Sequence, residues 1–128
     1  MCIYENFVVN ETEKGNYEVV IYSNDEELKK VIRINRNEVK RVLGDTNDEM
    51  LIILMGVIKL RRIYSFKKNS NNGFVKDITK TKDFKRNVLD ILNVCSIEYL
   101  IERLSKMKYS EIITLFEMNP KDILDFKE

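Results

Sequence analysis

The chain has 128 residues, with 22 lysines and arginines against 21 aspartates and glutamates, for a net charge of +1. That length suits one domain burying roughly two thirds of its unfolded surface, while two distant cysteines and no histidine argue against a disulfide scaffold or a zinc centre. Without histidine no Ser-His or Cys-His nucleophile pair can form, and the scattered Gly15, Gly44, Gly56 and Gly73 make no phosphate-cradling loop.

Residues 2 to 9 alternate, with Ile3, Phe7 and Val9 on one face and Tyr4 and Val8 on the other, the pattern of a half-buried strand. Asn10 to Asn16 is a loop containing Gly15. Tyr17 to Tyr22 is rich in β-branched and aromatic residues, Ser23 to Glu27 is a polar turn, and Lys30 to Ile34 resumes the strand pattern. Residues 1–34 therefore predict a three-stranded antiparallel meander whose apolar face needs a cover.

Asn35 and Glu38 have N-cap spacing, Val39, Val42 and Leu43 form a stripe, and Gly44 suits a left-handed C-cap, which predicts a short helix over 36–43. The stretch from Thr46 to Phe66 organises the rest. Thr46 and Glu49 have capping-box spacing, and no charge interrupts Met50 to Ile58. A helix apolar on every side must be buried on every side, so this one is expected at the centre of the fold, against the meander. Its nine uncharged residues are too few to span a bilayer, and the N-terminal residues lack the basic-then-apolar pattern of a secretory signal. The expectation is a cytoplasmic protein with no membrane partner.

After Lys59 the pattern loosens: Arg61 to Lys68 is either the end of this helix or a strand, and residues 67–82 read either as a basic loop or as part of a hairpin, with Ile63 to Lys67 and Phe74 to Thr79 as arms around Asn69-Ser-Asn-Asn-Gly73. From Asp83 the pattern is helical through residue 127. Phe84, Val88, Ile91, Leu92 and Cys95 form one stripe; Ile97, Leu100, Ile101, Leu104 and Met107 form the next, opened by a Ser96 cap. Ser110 has the cap position of a third helix carrying Ile112, Ile113 and Phe116, and Asn119-Pro120 opens a fourth. The fold class expected is α+β, as one domain over 1–128 with a C-terminal cluster of short helices.

The net charge conceals an asymmetry. Between residues 59 and 86 ten basic residues face only Asp77 and Asp83, a local excess of eight positive charges that leaves the remainder at minus seven. Candidate binding residues for nucleic acid or a partner are Arg61, Arg62, Lys67, Lys68, Lys76, Lys80, Lys82, Lys85 and Arg86, interleaved with Tyr64, Phe66, Phe74 and Phe84. Cations mixed with flat rings suit phosphate backbones and unstacked bases. A solvated lysine-rich loop gives the same pattern. The N-terminal acids Glu11, Glu13, Glu18, Asp25, Glu26 and Glu27 form an alternative face for a basic partner.

Residues 109–126 resemble the helix-turn-helix DNA-binding motif: Ile112 and Phe116 lie four apart, Met118 falls in the turn, and Ile123 and Phe126 follow on a second helix. They depart from it at Ile113, where the motif has a small residue, and at Glu117, where it has glycine. Asp122 and Asp125 would sit on the recognition helix, where phosphates repel them. Two packed terminal helices with ordinary core spacing also explain the stretch.

Three functions follow. The first is a small non-enzymatic DNA-binding regulator, acting through the basic face. The absence of alanine, glutamine, histidine and tryptophan, with abundant isoleucine, lysine and asparagine, suggests AT-rich coding and a mobile element, phage or plasmid. The second is a phage-type inhibitor or adaptor, an anti-CRISPR protein for example, that binds a nucleic-acid-handling protein. The third is a metal-dependent nuclease built on Asp77, Asp83 and Lys85. Neither a catalytic residue nor a bound cofactor or metal is assigned, and a homodimer through a strand edge or the C-terminal helices stays open.

Overall fold

The computed structural model describes residues 4–23, 29–44, 48–68 and 76–118. Three strands open the chain: β1 (Tyr4–Glu11), β2 (Tyr17–Ser23) and β3 (Lys29–Ile34), antiparallel and in the order β1-β2-β3. Val9 lies opposite Val19, which lies opposite Ile32, and Phe7 lies opposite Ile21. Because side chains alternate across a strand, this register gathers Tyr17, Val19, Ile21, Ile32 and Ile34 into the core, with Phe7 and Val9 packed at its margin. The other face carries Val8, Val20 and Val31 in one cross-strand row.

Arg36 fastens the first turn to the next element. Its Nε donates to the carbonyl of Gly15 at 2.6 Å, its guanidinium pairs with Glu11, and it lies over the Tyr17 ring at 5.6 Å. The helix that Arg36 begins, α1 (Arg36–Leu43), is capped by Asn35, whose side-chain oxygen accepts from the Asn37 amide at 2.7 Å. Gly44 ends it at φ +78°, a left-handed value that glycine adopts without steric cost.

The central helix α2 runs from Glu49 to Lys68. Its first turn is held by Asp48, whose carboxylate accepts from the Met50 amide at 2.9 Å; Thr46, the expected cap, lies outside the described residues. Ile52 to Ile58 are all buried, as a helix without a polar face must be. The sheet covers one side and two later helices, α4 (Ile97–Lys106) and α5 (Tyr109–Glu117), cover another. Gly56 sets the separation from the sheet: a Cβ there would lie 2.8 Å from Cγ1 of Val19, so helix and strand touch through this glycine.

α2 ends two residues beyond the expected Phe66, so of the two alternatives for residues 61–68 the helix is observed and the hairpin is corrected. Ile63 to Lys68 are helical, and helical spacing sets Arg61 over the Tyr64 ring at 5.5 Å while its Nε donates to the Met107 carbonyl at 2.8 Å. The proposed second arm is not a strand where it is described: Ile78–Lys80 form a 3₁₀ turn. Residues 69–75, with Phe74, lie outside the described residues.

Helix α3 (Phe84–Leu92) buries Phe84, Val88 and Ile91, with the Phe84 ring stacked on Phe116 of α5 at 5.2 Å between centroids. Ser96 caps α4 as expected, accepting from the Tyr99 amide at 3.2 Å. The cap of α5 differs from the expected Ser110. The cap is Lys108, two residues earlier, where the Glu111 carboxylate accepts from the Lys108 amide at 2.9 Å, and Ser110 falls inside the first turn. The expected fourth helix, from Asn119, lies outside the described residues. The architecture is α+β, a three-stranded meander packed on a central helix and closed by helices. Among the described residues no helix is long and apolar enough to cross a membrane.

Candidate nucleic-acid interface

The basic stretch is anchored at its centre by a polar knot. Tyr109, at the start of α5, donates its hydroxyl to the Lys76 carbonyl at 2.6 Å and accepts from the Ile78 amide at 3.0 Å. One residue on, Asp77 caps the 3₁₀ turn: its carboxylate accepts from the hydroxyl of Thr79 at 2.6 Å and from its amide at 3.1 Å. Burial would raise the Asp77 pKa, but the Thr79 hydroxyl, Lys59, the Thr79 amide and Arg62 together outweigh it and hold the carboxyl below its ordinary value. For Tyr109 burial dominates, with Asp77 adding to it, and its hydroxyl is pushed up despite the Ile78 amide and Arg62. The backbone from Lys76 to Thr79 is thereby fixed on α5, and the lysines that follow it project from a rigid turn.

The nine basic candidates divide by what holds them. Arg61 is committed to Met107 and Tyr64, which makes it a brace between α2 and α4. Arg62 lies near Asp77, at a different groove described below. Lys76 pairs with Glu117 at 2.8 Å, and Arg86 pairs with Asp83 at 3.3 Å, both exposed. Lys80, Lys82 and Lys85 are exposed, and among the described residues no carboxylate lies within ion-pair range of them. Lys85 also reaches the end of α1, with Nζ 3.1 Å from where a Cβ on Gly44 would stand. There it faces the negative end of the helix dipole. Lys67 and Lys68 close α2, and their side chains lie outside what is described.

Lys76, Lys82 and Arg86 meet at an open groove with Asn87, Phe116 and Met118, but Asp83, Asp90 and Glu117 line it too. The groove is therefore mixed in charge; Lys80 and Lys85 lie outside its lining, whereas Lys82, exposed and without an ion pair among the described residues, stands at its rim. Of the interleaved rings, Phe84 belongs to the core and Tyr64 is half-buried beside Arg61. Neither is presented to a base.

The acidic alternative is divided by the sheet. Glu11 pairs with Arg36, Glu18 lies 3.5 Å from Arg33, and Glu13 is exposed in the turn. Glu11 and Glu18 sit on opposite faces by the strand register, since Glu18 lies opposite Asn10. Asp25, Glu26 and Glu27 lie outside the described residues. The nuclease set is likewise engaged, Asp77 by Thr79 and Asp83 by Arg86.

A second groove went unread in the sequence. It lies between β3 and the later half of α2, lined by Val31, Ile32, Arg33, Lys59, Arg62 and Ile63, with a volume of about 450 Å³. Lys59 is fixed there by Glu38 of α1, 2.5 Å away, with both side chains less than one fifth exposed. The available signal was the last strand of a meander carrying an outward valine beside an arginine. No protein-family model, curated protein or solved structure matches the chain, so the functional reading rests on its own residues.

Proposed function

We propose that the chain is a small non-enzymatic binding protein that grips the phosphate backbone of nucleic acid through the outward cations of the 3₁₀ turn and α3. The observation that carries this reading is the set Lys80, Lys82 and Lys85, exposed and unpaired among the described residues and followed by the loosely paired Arg86. Unpaired lysines on a rigid turn meet phosphates without first breaking an internal ion pair, and binding of this kind releases counterions. With neither Tyr64 nor Phe84 offered to bases, the grip through these lysines would be sensitive to charge and largely indifferent to sequence. Residues 109–126 remain the proposed helix-turn-helix element. Its first helix is α5, which buries Ile112, Leu115 and Phe116.

The test is an electrophoretic shift of short duplex DNA and single-stranded RNA by the wild type and by Lys80→Glu/Lys82→Glu. Binding by the wild type, weakened tenfold or more in the variant at unchanged circular dichroism, supports the reading. Equal binding by both proteins, or none by either at low salt, overturns it.

The second reading, an inhibitor or adaptor for a nucleic-acid-handling protein, is favoured by the groove beside β3. Its cations stand with apolar side chains rather than alone, as a protein contact requires.

A further inference from the structure

We propose that the free edge of β3 and the adjoining turn of α2 form a docking groove for an extended, acidic segment of a partner protein, which adds to the sheet as a fourth strand. β3 stands last in the strand order, and among the described residues no strand lies beyond it. Such an edge presents backbone donors and acceptors ready for pairing. Three consecutive β3 residues, Val31, Ile32 and Arg33, line the groove. Successive strand residues point to opposite faces, so a groove touching all three follows the edge itself rather than one face.

The side chains specify the occupant. Val31 and Ile63 are 44% and 41% exposed, two of only four large apolar side chains so exposed among the described residues, and both are in this groove. Around them stand Arg33, Lys59 and Arg62, and among the described residues no carboxylate lines the groove. Lys59 is held in place by Glu38, while Arg33, 85% exposed, leans on Glu18 at 3.5 Å and is readily redirected. A strand added here would send its side chains alternately to the outer face, where Val31 and Arg33 lie, and to the α2 side, where Lys59, Arg62 and Ile63 lie. Alternating aliphatic and acidic residues set the aliphatic ones beside Val31 and the acidic ones beside Lys59 and Arg62.

A second copy of this chain fits poorly. β3 carries Lys29, Lys30 and Arg33, and pairing two such edges antiparallel sets like charges across from each other. The proposed site uses neither Lys80 nor Lys82, so it stands or falls separately from the nucleic-acid reading.

The experiment is an NMR titration of the isotopically labelled full chain with a heptapeptide alternating valine and glutamate, with a valine–lysine peptide as the control. The proposal expects at least tenfold tighter binding of the acidic peptide, with amide shifts over Lys29–Ile34 and residues 59–63. It expects a tenfold or greater loss in Ile63→Glu and in Val31→Glu, and no change in Lys80→Glu/Lys82→Glu. Equal binding of both peptides, or shifts confined elsewhere, would overturn it. So would a concentration-dependent dimer that protects the β3 amides without peptide, or duplex DNA shifting these same amides.

Discussion

The segment Ile52–Leu60 of α2 and the segment Lys76–Arg86 are governed by different physical rules. In the first, each apolar side chain can do only one thing, leave water, and the fold obliges by surrounding the helix with sheet and helices. In the second, each cation has several options, and the structure uses different ones. Arg61, just after the first segment, already braces α4; in the second, Lys76 and Arg86 meet carboxylates, Lys85 covers a helix end, and Lys80 and Lys82 are exposed without an ion pair among the described residues. Apolar pattern translates directly into position, whereas charge pattern does not translate directly into a face.

The comparison is broken most forcefully from the core side. Leu54→Ala, at a fully buried position, is expected to cost about 3–4 kcal/mol in urea unfolding, since surrounding groups collapse only partly into the space left. Gly56→Ala comes next. Alanine favours a helix by about 1 kcal/mol over glycine, but the new methyl would press on Val19 at 2.8 Å. We expect a net loss of roughly 1–2 kcal/mol, of the size overpacking costs, and recovery of part of it when Val19→Ala is added.

At the junction of the two regions, Tyr109→Phe removes the partner of the Ile78 amide and of the Lys76 carbonyl. An unpaired buried amide costs about 1–2 kcal/mol, and the same urea curves would show it. Asp77 supplies a pH signature. Its folded pKa is depressed below the ordinary 3.8, so its contribution is complete above that value and is lost as pH falls through the folded pKa. Asp77→Asn is expected to flatten that acid limb in thermal melts taken from pH 6 downward. The smallest effect is Lys80→Glu/Lys82→Glu, expected within about 0.5 kcal/mol of wild type, because exposed side chains without partners contribute little to stability.

Much of the fold was legible because its signals are local and periodic. The alternation of β2 and β3, the uncharged run in α2, and the caps at Asn35 and Ser96 each point to one structure. The misread places are those where a distant partner decides. Arg61, at the start of the stretch left open between helix and strand, is held by Met107, more than forty residues away, and Glu111 rather than Ser110 completes the cap of α5. The candidate site was legible only as a list of cations. Which of them stay outward depends on Glu117, Asp83 and the end of α1, neighbours that no spacing rule reveals. The β3 groove was invisible because it joins an edge strand to a helix turn nearly thirty residues later.

The most direct test of the nucleic-acid account is fluorescence anisotropy of a labelled duplex across a salt series. The account predicts that the logarithm of affinity falls linearly with that of salt, at a slope of roughly −0.9 per phosphate neutralised, and that Lys80→Glu/Lys82→Glu reduces that slope by about two such increments. An affinity independent of salt, or a slope that the variant leaves unchanged, would contradict it.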